Sequence, residues 1–506
     1  MVYLKHQGMN CYMGIDIGTS GCKAVVFDEN GRQLSISHRE YNIISKNEGW
    51  AELDPDEVIE KCFKVIKESA KQAFPYIVIG IGISSQGEAF TLVDKDGNAL
   101  SNAFVSSDTR AKEYAESWAK EFGEEKLYHI TGHTPHPLFS LFKILWVKQH
   151  MPGVWRKTHR ILCFEDLLEY RLGIKDPAMG WSLAGRTMLF DVVNHCWSKE
   201  ILDAVGIKEE QLAKPMLSGS KIGYVHEDIA KSLNLLNQTF IVVGGHDQPC
   251  CALGAGVVKD GMAVYSSGTV ECITPAFRKA VFSNTLRKSN LCTFDHAVEG
   301  MYTTVAYSLT GGNLLKWFRD EFGGAEILEA ERNNLNPYDL LLDKMPESPT
   351  KLLVLPYFTA TGTPYFDTSV KGAIIGLDLS TTRGEIIKAL LEGVGMEMKL
   401  NLEILKKSGY EVKELRVIGG GANSQIWVQL KADVLGMPIT VLDCSEAGCM
   451  GVAILARAAH TNQAVIEIAE SWVKPVVKIM PDPKRDYDQK FSLYKKLYPS
   501  LKKTFF

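Results

Sequence analysis

The sequence predicts an α/β protein of two domains with a cleft between them, and three observations predict it. Two short apolar runs far apart in the chain each deliver a carboxylate to a turn: Met13-Gly14-Ile15-Asp16-Ile17-Gly18-Thr19-Ser20 and Val242-Val243-Gly244-Gly245-His246-Asp247-Gln248. The second half echoes the start, since Met262-Ala263-Val264-Tyr265 runs into the small-residue turn Ser266-Ser267-Gly268-Thr269. The chain of 506 residues also exceeds the ~250–300 residues at which single hydrophobic cores stop growing.

Residues 12–18, 22–28 and 32–41 read as successive strands, with a hairpin signal at Glu29-Asn30-Gly31. Asp54 predicts a helix N-cap, with Pro55 at the first helical position and Glu57 closing a capping box. Val58, Ile59, Cys62, Phe63 and Ile66 then recur at helical spacing. The near-continuous apolar run over 76–84 fits a strand buried on both faces. After Asp247 a small-residue apolar helix is predicted over 249–258. Thr382 and Glu385 cap a long helix carrying Ile386, Ala389, Leu390 and Val394. Leu415-Arg416-Val417-Ile418 leads through Gly419-Gly420-Gly421-Ala422-Asn423-Ser424 to a helix ending near Gly436 and Pro438. Gly448 and Gly451 read as helix packing. Tyr487, Phe491, Tyr494 and Tyr498 form the stripe expected of the buried face of a C-terminal helix whose lysines are solvated. The domain boundary falls near 254–260, dividing the chain into domains over 12–255 and 256–482 with a terminal helix over 483–506.

Composition narrows the function classes. Hydrophobic residues at 45% and charged residues at 23% are globular values, and a net charge of −4 gives no basic field for nucleic acid. The 11 cysteines are scattered apart from Cys250-Cys251 and show no metal-ligand spacing, the pattern of reduced thiols in a cytoplasmic protein. The first ten residues contain no apolar core of a signal peptide, and no apolar run approaches the ~18–20 residues of a membrane span.

The two turns carry the chemistry. Glycine lets backbone approach phosphate oxygens, so Gly18, with the hydroxyls of Thr19 and Ser20, suits a phosphate turn, and Asp16 would act on Mg²⁺–ATP directly or through metal-bound water. Asp247 is the candidate general base for an acceptor hydroxyl, and the helix N-terminus it precedes should favour its ionised form. His246 beside it reads as a hydrogen-bonded structural residue. The glycines at 419–421 would let a purine lie against bare backbone.

With these residues in order, the chain resembles the FGGY carbohydrate kinase family. Lys143-Ile144-Leu145-Trp146-Val147 resembles the family's first signature, departing at Leu138. Gly372-Ala373-Ile374-Ile375-Gly376-Leu377, with Glu385 and Glu392, resembles the second, departing at Leu390. Asp166-Leu167, Thr187-Met188-Leu189-Phe190-Asp191 and Leu355-Pro356-Tyr357 also follow the family's order. The resemblance implies two ribonuclease-H-like (actin/hexokinase-type) domains with ATP and a sugar in the cleft between them. It further implies that Gly268 and Thr269 form a second phosphate turn, that Gly312 and Lys316 contact the nucleotide, and that Gly420, Gly421 and Asn423 receive the adenosine. Family members are often homodimers, an assembly for which the sequence offers no signal of its own.

The acceptor segments differ from those of better-known members. Gln86-Gly87-Glu88 stands where xylulokinases typically show Gln-Met-His and glycerol kinases Gln-Arg-Glu, and Ser106 and Leu138 stand where glycerol kinases place aromatics. Gln86, Glu88, Asp108 and Arg110 are the candidate sugar contacts, with Gly87 leaving room for a longer chain. The pattern looks like that of kinases acting on a ketopentose. Another polyol, gluconate or a signalling sugar are alternative acceptors, and a non-catalytic nucleotide switch is the reading from another class.

Overall fold

The computed structural model describes residues 9–505, so the stretch over 1–10 read as lacking a signal-peptide core lies largely outside the described residues. The first sheet is built from β1 (Asn10–Ile17), β2 (Gly21–Asp28), β3 (Gln33–Glu40), β4 (Ile77–Ser85), β5 (Lys221–Tyr224) and β6 (Phe240–His246), in the order β5-β6-β4-β1-β2-β3. The second sheet uses β7 (Met262–Ser267), β8 (Glu271–Pro275), β9 (Ala306–Ser308), β10 (Glu414–Ile418), β11 (Ile439–Leu442) and β12 (Pro475–Ile479), in the order β9-β8-β7-β10-β11-β12.

The two sheets repeat one plan. In each, three antiparallel strands are followed outward from the first by two parallel ones, and an antiparallel strand closes the far edge. The echo between the two small-residue turns is thus a structural duplication. Both turns follow the first strand of their sheet.

The principal helices are α1 (Pro55–Gln72), α2 (Phe164–Arg171), α3 (Asp247–Gly254), α4 (Gly312–Phe322), α5 (Arg383–Lys407), α6 (Gln425–Leu435), α7 (Ala447–Thr461) and α8 (Asp488–Phe505). Asp54 caps α1 by accepting from the Asp56 and Glu57 N–H groups. The expected capping box does not close, because the Glu57 carboxylate pairs with Lys61 one turn on. On α5 the box predicted from Thr382 and Glu385 is complete. Helix α3 begins at Asp247 and stops at Gly254, earlier than predicted, and Gly256 then takes a left-handed φ of 69°.

Packing does not follow chain order. Helix α7, late in the chain, returns to lie on β1 and β4 of the first sheet and against α3. Tyr12, Val25 and Phe27 consequently share a core with Cys449, Val452 and Trp472. Glycines make this seam possible: a Cβ on Gly14 would lie 1.8 Å from the Cys449 carbonyl oxygen, one on Gly254 1.8 Å from that of Ala447, and one on Gly451 2.0 Å from that of Cys250.

The C-terminal helix α8 buries Phe491, Tyr494 and Leu497, and the stripe does more than fill space. The Tyr487 hydroxyl donates to Glu392 at 2.9 Å, Tyr494 donates to Glu397, and Lys490 pairs with Glu392; both glutamates are buried on α5. Lys490 is therefore a half-buried partner of a core carboxylate, not one of the solvated lysines expected on this helix.

Because no relaxed position exists for a methyl group between α7 and the Cys250 carbonyl, Gly451→Ala is expected to destabilise the fold by about 1–3 kcal/mol. Urea denaturation reads this, and an unchanged midpoint would show that the helices separate freely.

Candidate active site

Asp16 is the penultimate residue of β1, opposite Lys23 on β2 and Ser84 on β4. Ser84 Oγ donates to Asp16 Oδ1 at 2.8 Å. Burial pushes the Asp16 carboxyl above its usual range, with the Ser84 hydrogen bond and Lys23 opposing. Among the described residues no cation pairs with Asp16, since Lys23 reaches Glu446 at 2.9 Å instead. Gly448, at the start of α7, faces this carboxylate, and a Cβ there would come within 3.3 Å of it. Gly448 thus does more than pack helices. The residues fit a hard divalent cation such as Mg²⁺, which needs few protein carboxylates when phosphate oxygens and water complete its shell. No cluster of three or more potential metal ligands occurs among the described residues, so Asp16 would serve alone.

Asp247 opens α3 and its carboxylate faces a cavity of about 190 Å³. The helix N-terminus was expected to keep it ionised, but its pKa is pushed up to about 8, first by burial and then by the Asp16 and Glu88 carboxylates, with Arg186 opposing. Its 31% side-chain exposure is to this cleft cavity, so desolvation still leads. His246 Nε2 lies 3.1 Å from Asp247 Oδ1. Burial and Arg186 hold the imidazole well below its usual pKa, so a neutral ring lies against one carboxylate oxygen of Asp247. His246 therefore lines the site, beyond the structural role read from sequence.

The same cavity is lined by Thr19, Gln86, Gly87, Glu88 and Ser106 from the first half of the chain and by Asn290, Tyr307 and Phe366 from the second. Gln86 ties the first turn to the cavity wall: it accepts from Thr19 Oγ1 and donates to the Gly18 carbonyl, both at 3.1 Å. Thr19, expected at phosphate, stands on the acceptor side, and Ser20 is exposed at the turn and lines neither cavity described here. Gly87 does not leave room for a longer substrate, because His246 fills that space; a Cβ on Gly87 would lie 2.8 Å from His246 Nε2. Glu88 adopts a left-handed φ of 62°, a backbone cost of about 1–3 kcal/mol that concentrates at functional sites. Its carboxylate pairs with Arg186, and Ser140 Oγ donates to its carbonyl at 2.9 Å.

Asp108 and Arg110 are placed elsewhere. Arg110 donates to Asp108 and to Glu52, both at 2.6 Å, and lies 3.7 Å over the Trp50 ring, while Asp108 also accepts from the Ala51 N–H. This closed cluster, two carboxylates on one guanidinium, lines no part of the cavity that Asp247 faces. It braces the wall from behind. Lys143 of the first signature does likewise, donating at 2.6 Å to the Val105 and Leu138 carbonyls beside the cavity-lining Ser106 and Leu138.

A second cavity, of about 860 Å³, gathers Gly268, Thr269, Gly312, Lys316, Gly420, Gly421 and Asn423. The second small-residue turn and the start of α4 meet directly, the Gly312 N–H donating to the Gly268 carbonyl at 2.8 Å. Gly420 has open space where a Cβ would be, the bare backbone expected of a purine platform. Sequence reasoning missed Asn336, Tyr338 and Trp427 on this wall and Arg186, Tyr307 and Phe366 on the other. Arg186 alone carried a signal, directly preceding the Thr187-Met188-Leu189-Phe190-Asp191 string.

A duplicated two-sheet fold with a polar cavity beside a glycine-lined one is the architecture of a kinase for small hydroxylated substrates. Matching models cover most of the chain: the N-terminal domain of the FGGY family of carbohydrate kinases over residues 11–254 and its C-terminal domain over 263–460. The chain is 30% identical over 501 residues to a xylulose kinase of Staphylococcus epidermidis, with 97% of each covered. It is 26% identical over 453 residues to a gluconokinase of Bacillus licheniformis, with 88% of this chain and 87% of that one covered. The crystal structure of a xyloylose kinase from Brucella ovis superimposes with a TM-score of 0.87 at 26% identity, covering 97% of this chain and 99% of the other. The chain belongs to the FGGY family of carbohydrate kinases, enzymes that transfer phosphate from ATP to a sugar hydroxyl.

A carboxylate must be ionised to accept a proton, and the pKa of Asp247 is raised to about 8, so any reaction that uses it as a base should slow as pH drops through about 8. The sign for stability is opposite. A carboxyl whose folded pKa exceeds its unfolded value makes the fold lose stability as pH rises from about 4 to 8, so Asp247→Asn should raise Tm at pH 8 and by less at pH 5. A Tm difference independent of pH would refute the raised pKa.

Proposed function

We propose that this kinase phosphorylates a primary hydroxyl of a ketose, a pentulose of the xylulose or ribulose type, in carbohydrate catabolism. The observation that carries the reading is the placement of Asp247: one carboxylate oxygen lies 3.1 Å from His246 Nε2, and the carboxylate opens into a small cavity walled by both halves of the chain. Full-length likeness to xylulose kinases supports the pentulose. Polyols and aldonates are the competing acceptors. All 11 cysteines are free, which agrees with a cytoplasmic site of action.

In this reading the nucleotide lies along the glycine-lined cavity, with Gly268, Thr269 and Lys316 toward its phosphates and Gly420, Gly421 and Asn423 at the adenosine. Asp16 holds Mg²⁺, which when bound neutralises the charge of the phosphoryl oxygens. Gln86 and Glu88 orient the sugar. Asp247 accepts the hydroxyl proton as the new oxygen–phosphorus bond forms and the bond to the ADP oxygen breaks. A carboxylate suffices because phosphoryl transfer passes through a loose transition state in which the proton moves late. Walls from both halves of the chain exclude water, the competing acceptor.

Coupled ADP release over a panel of ketopentoses, ketohexoses, polyols and gluconate tests the reading. One ketopentose should dominate, and Asp247→Asn should lower its turnover by about 10²–10⁴-fold while leaving ADP binding unchanged. Turnover above a tenth of wild type in that variant would remove Asp247 as the base.

A further inference from the structure

Among the described residues the lining of the acceptor cavity carries one cation, and that cation is already spent. Arg186 follows the short helix Trp181–Gly185 and projects into the cavity wall, where its Nε and Nη2 both meet Glu88 Oε1. Its guanidinium is fixed from the sides by aromatic rings, 5.1 Å from Phe139 and 5.5 Å from Phe294. The other titratable groups facing this space offer no positive charge. His133 and His246 are kept neutral by burial and by Arg186 itself, Tyr307 and Cys272 are held protonated by burial, and Asp247 and Glu88 are acids. Lys143, behind the wall, donates to two backbone carbonyls.

We propose that Glu88 masks Arg186, and that this pair restricts the acceptor cavity to uncharged polyhydroxy substrates and excludes those bearing a carboxylate. An aldonate entering the cavity would either displace Glu88 from Arg186, leaving a buried carboxylate without a partner, or place its own carboxylate unpaired beside Asp247. Both leave a buried charge uncompensated, among the costliest defects a protein interior contains. A ketose or polyol meets no such conflict, because the oxygens of Glu88 and Asp247 accept its hydroxyls while the ion pair stays closed. The left-handed backbone of Glu88 and the Ser140 hydrogen bond to its carbonyl fix the mask in place. Neutralising Glu88 therefore uncovers a cation that the two rings continue to hold at the wall.

The inference rests on the ketose reading and deepens it, and the experiment separates the two. Wild-type enzyme, Glu88→Gln and the double variant Glu88→Gln/Arg186→Gln are compared for ADP release with D-xylulose and with gluconate, and ADP binding by each confirms the fold. In wild type the ketose should be preferred. In Glu88→Gln the ratio of kcat/KM values should move toward gluconate by about 100-fold or more, the scale of an unpaired buried charge, and the double variant should lose that gain. A shift under threefold in a Glu88→Gln protein that binds ADP, or wild-type turnover of gluconate matching that of the ketose, overturns the mask. Should wild type turn over no uncharged substrate, the ketose reading fails by itself and calorimetry decides the mask: gluconate must bind Glu88→Gln more tightly than wild type. If Glu88→Gln does not fold, wild type decides it, since xylitol must bind and gluconate must not.

Discussion

The close approach of α7 and α3 to the first sheet is the constraint on which the rest of the structure depends. Backbone meets backbone there with no side chain between, because Gly14, Gly254 and Gly451 present none. The consequence is positional. The start of α7 brings Gly448 against the Asp16 carboxylate, and the start of α3 carries Asp247, so the two acids expected at metal and acceptor are held by one rigid seam. A bulkier seam would move both together and misalign them with the second sheet, whose glycine turns face the nucleotide cavity. Such misplacement, even on the scale of an ångström, is costly when catalysis is positioning.

The seam also concentrates charge. The Asp16 and Glu88 carboxylates both push the Asp247 carboxyl up, and burial raises Asp16 and Asp247. Only Glu88 has a resident cation in Arg186. Asp16 is left with a serine hydroxyl and Asp247 with a neutral imidazole, so both retain affinity for a positive charge or a proton that arrives with the substrates. This stored unfavourable electrostatics is the usual cost of a site poised for chemistry. By contrast, the buried Glu392 is satisfied by Tyr487 and Lys490, and Glu397 by Tyr357 and Tyr494.

Much of the architecture was legible because it rests on local signals. The strands around Asp16 and Asp247 are apolar runs ended by small residues, the caps of α1 and α5 are side-chain chemistry, and the duplicated turn is a repeated string. The glycine-lined cavity was legible for the same reason, since glycine loops reveal where bare backbone lies open. The acceptor wall was less so. Asp108 and Arg110 look like sugar ligands by type and order, but an acid and a base two residues apart can satisfy each other, and Glu52 from a distant strand completes their cluster. Gly87 looked like free space because the side chain that fills it, His246, is 159 positions away in the chain. Tyr307 and Phe366 reach the cavity from segments with no periodicity to read. Pairings made across the fold, with no local signature, are what sequence alone does not display.

The two walls are also built by opposite means, and the difference explains how one of them can vary while the other stays fixed. The glycine-lined side exposes backbone, with open space where a Gly420 side chain would be. The acceptor side is made of side chains held by other side chains. Strand β6 loses register with β4 between Val242 and Gly245, where Gly245 takes a φ of 145°, and that break turns Asp247 toward the cavity. The groups freed by the break are all caught. Glu165 of α2 accepts from the Gly244 N–H at 2.7 Å, Ser218 donates to the Gly244 carbonyl at 2.6 Å, and Ser182 accepts from the His246 N–H at 3.1 Å. Ser182 lies on the short helix that ends at Arg186, so the segment that fixes the base also presents the partner of Glu88. The positions of Asp247 and of Arg186 are therefore mechanically linked. A substitution that retunes the acceptor must leave this helix in place, which favours changes at the tips of side chains, such as Glu88, over changes in the backbone that carries them.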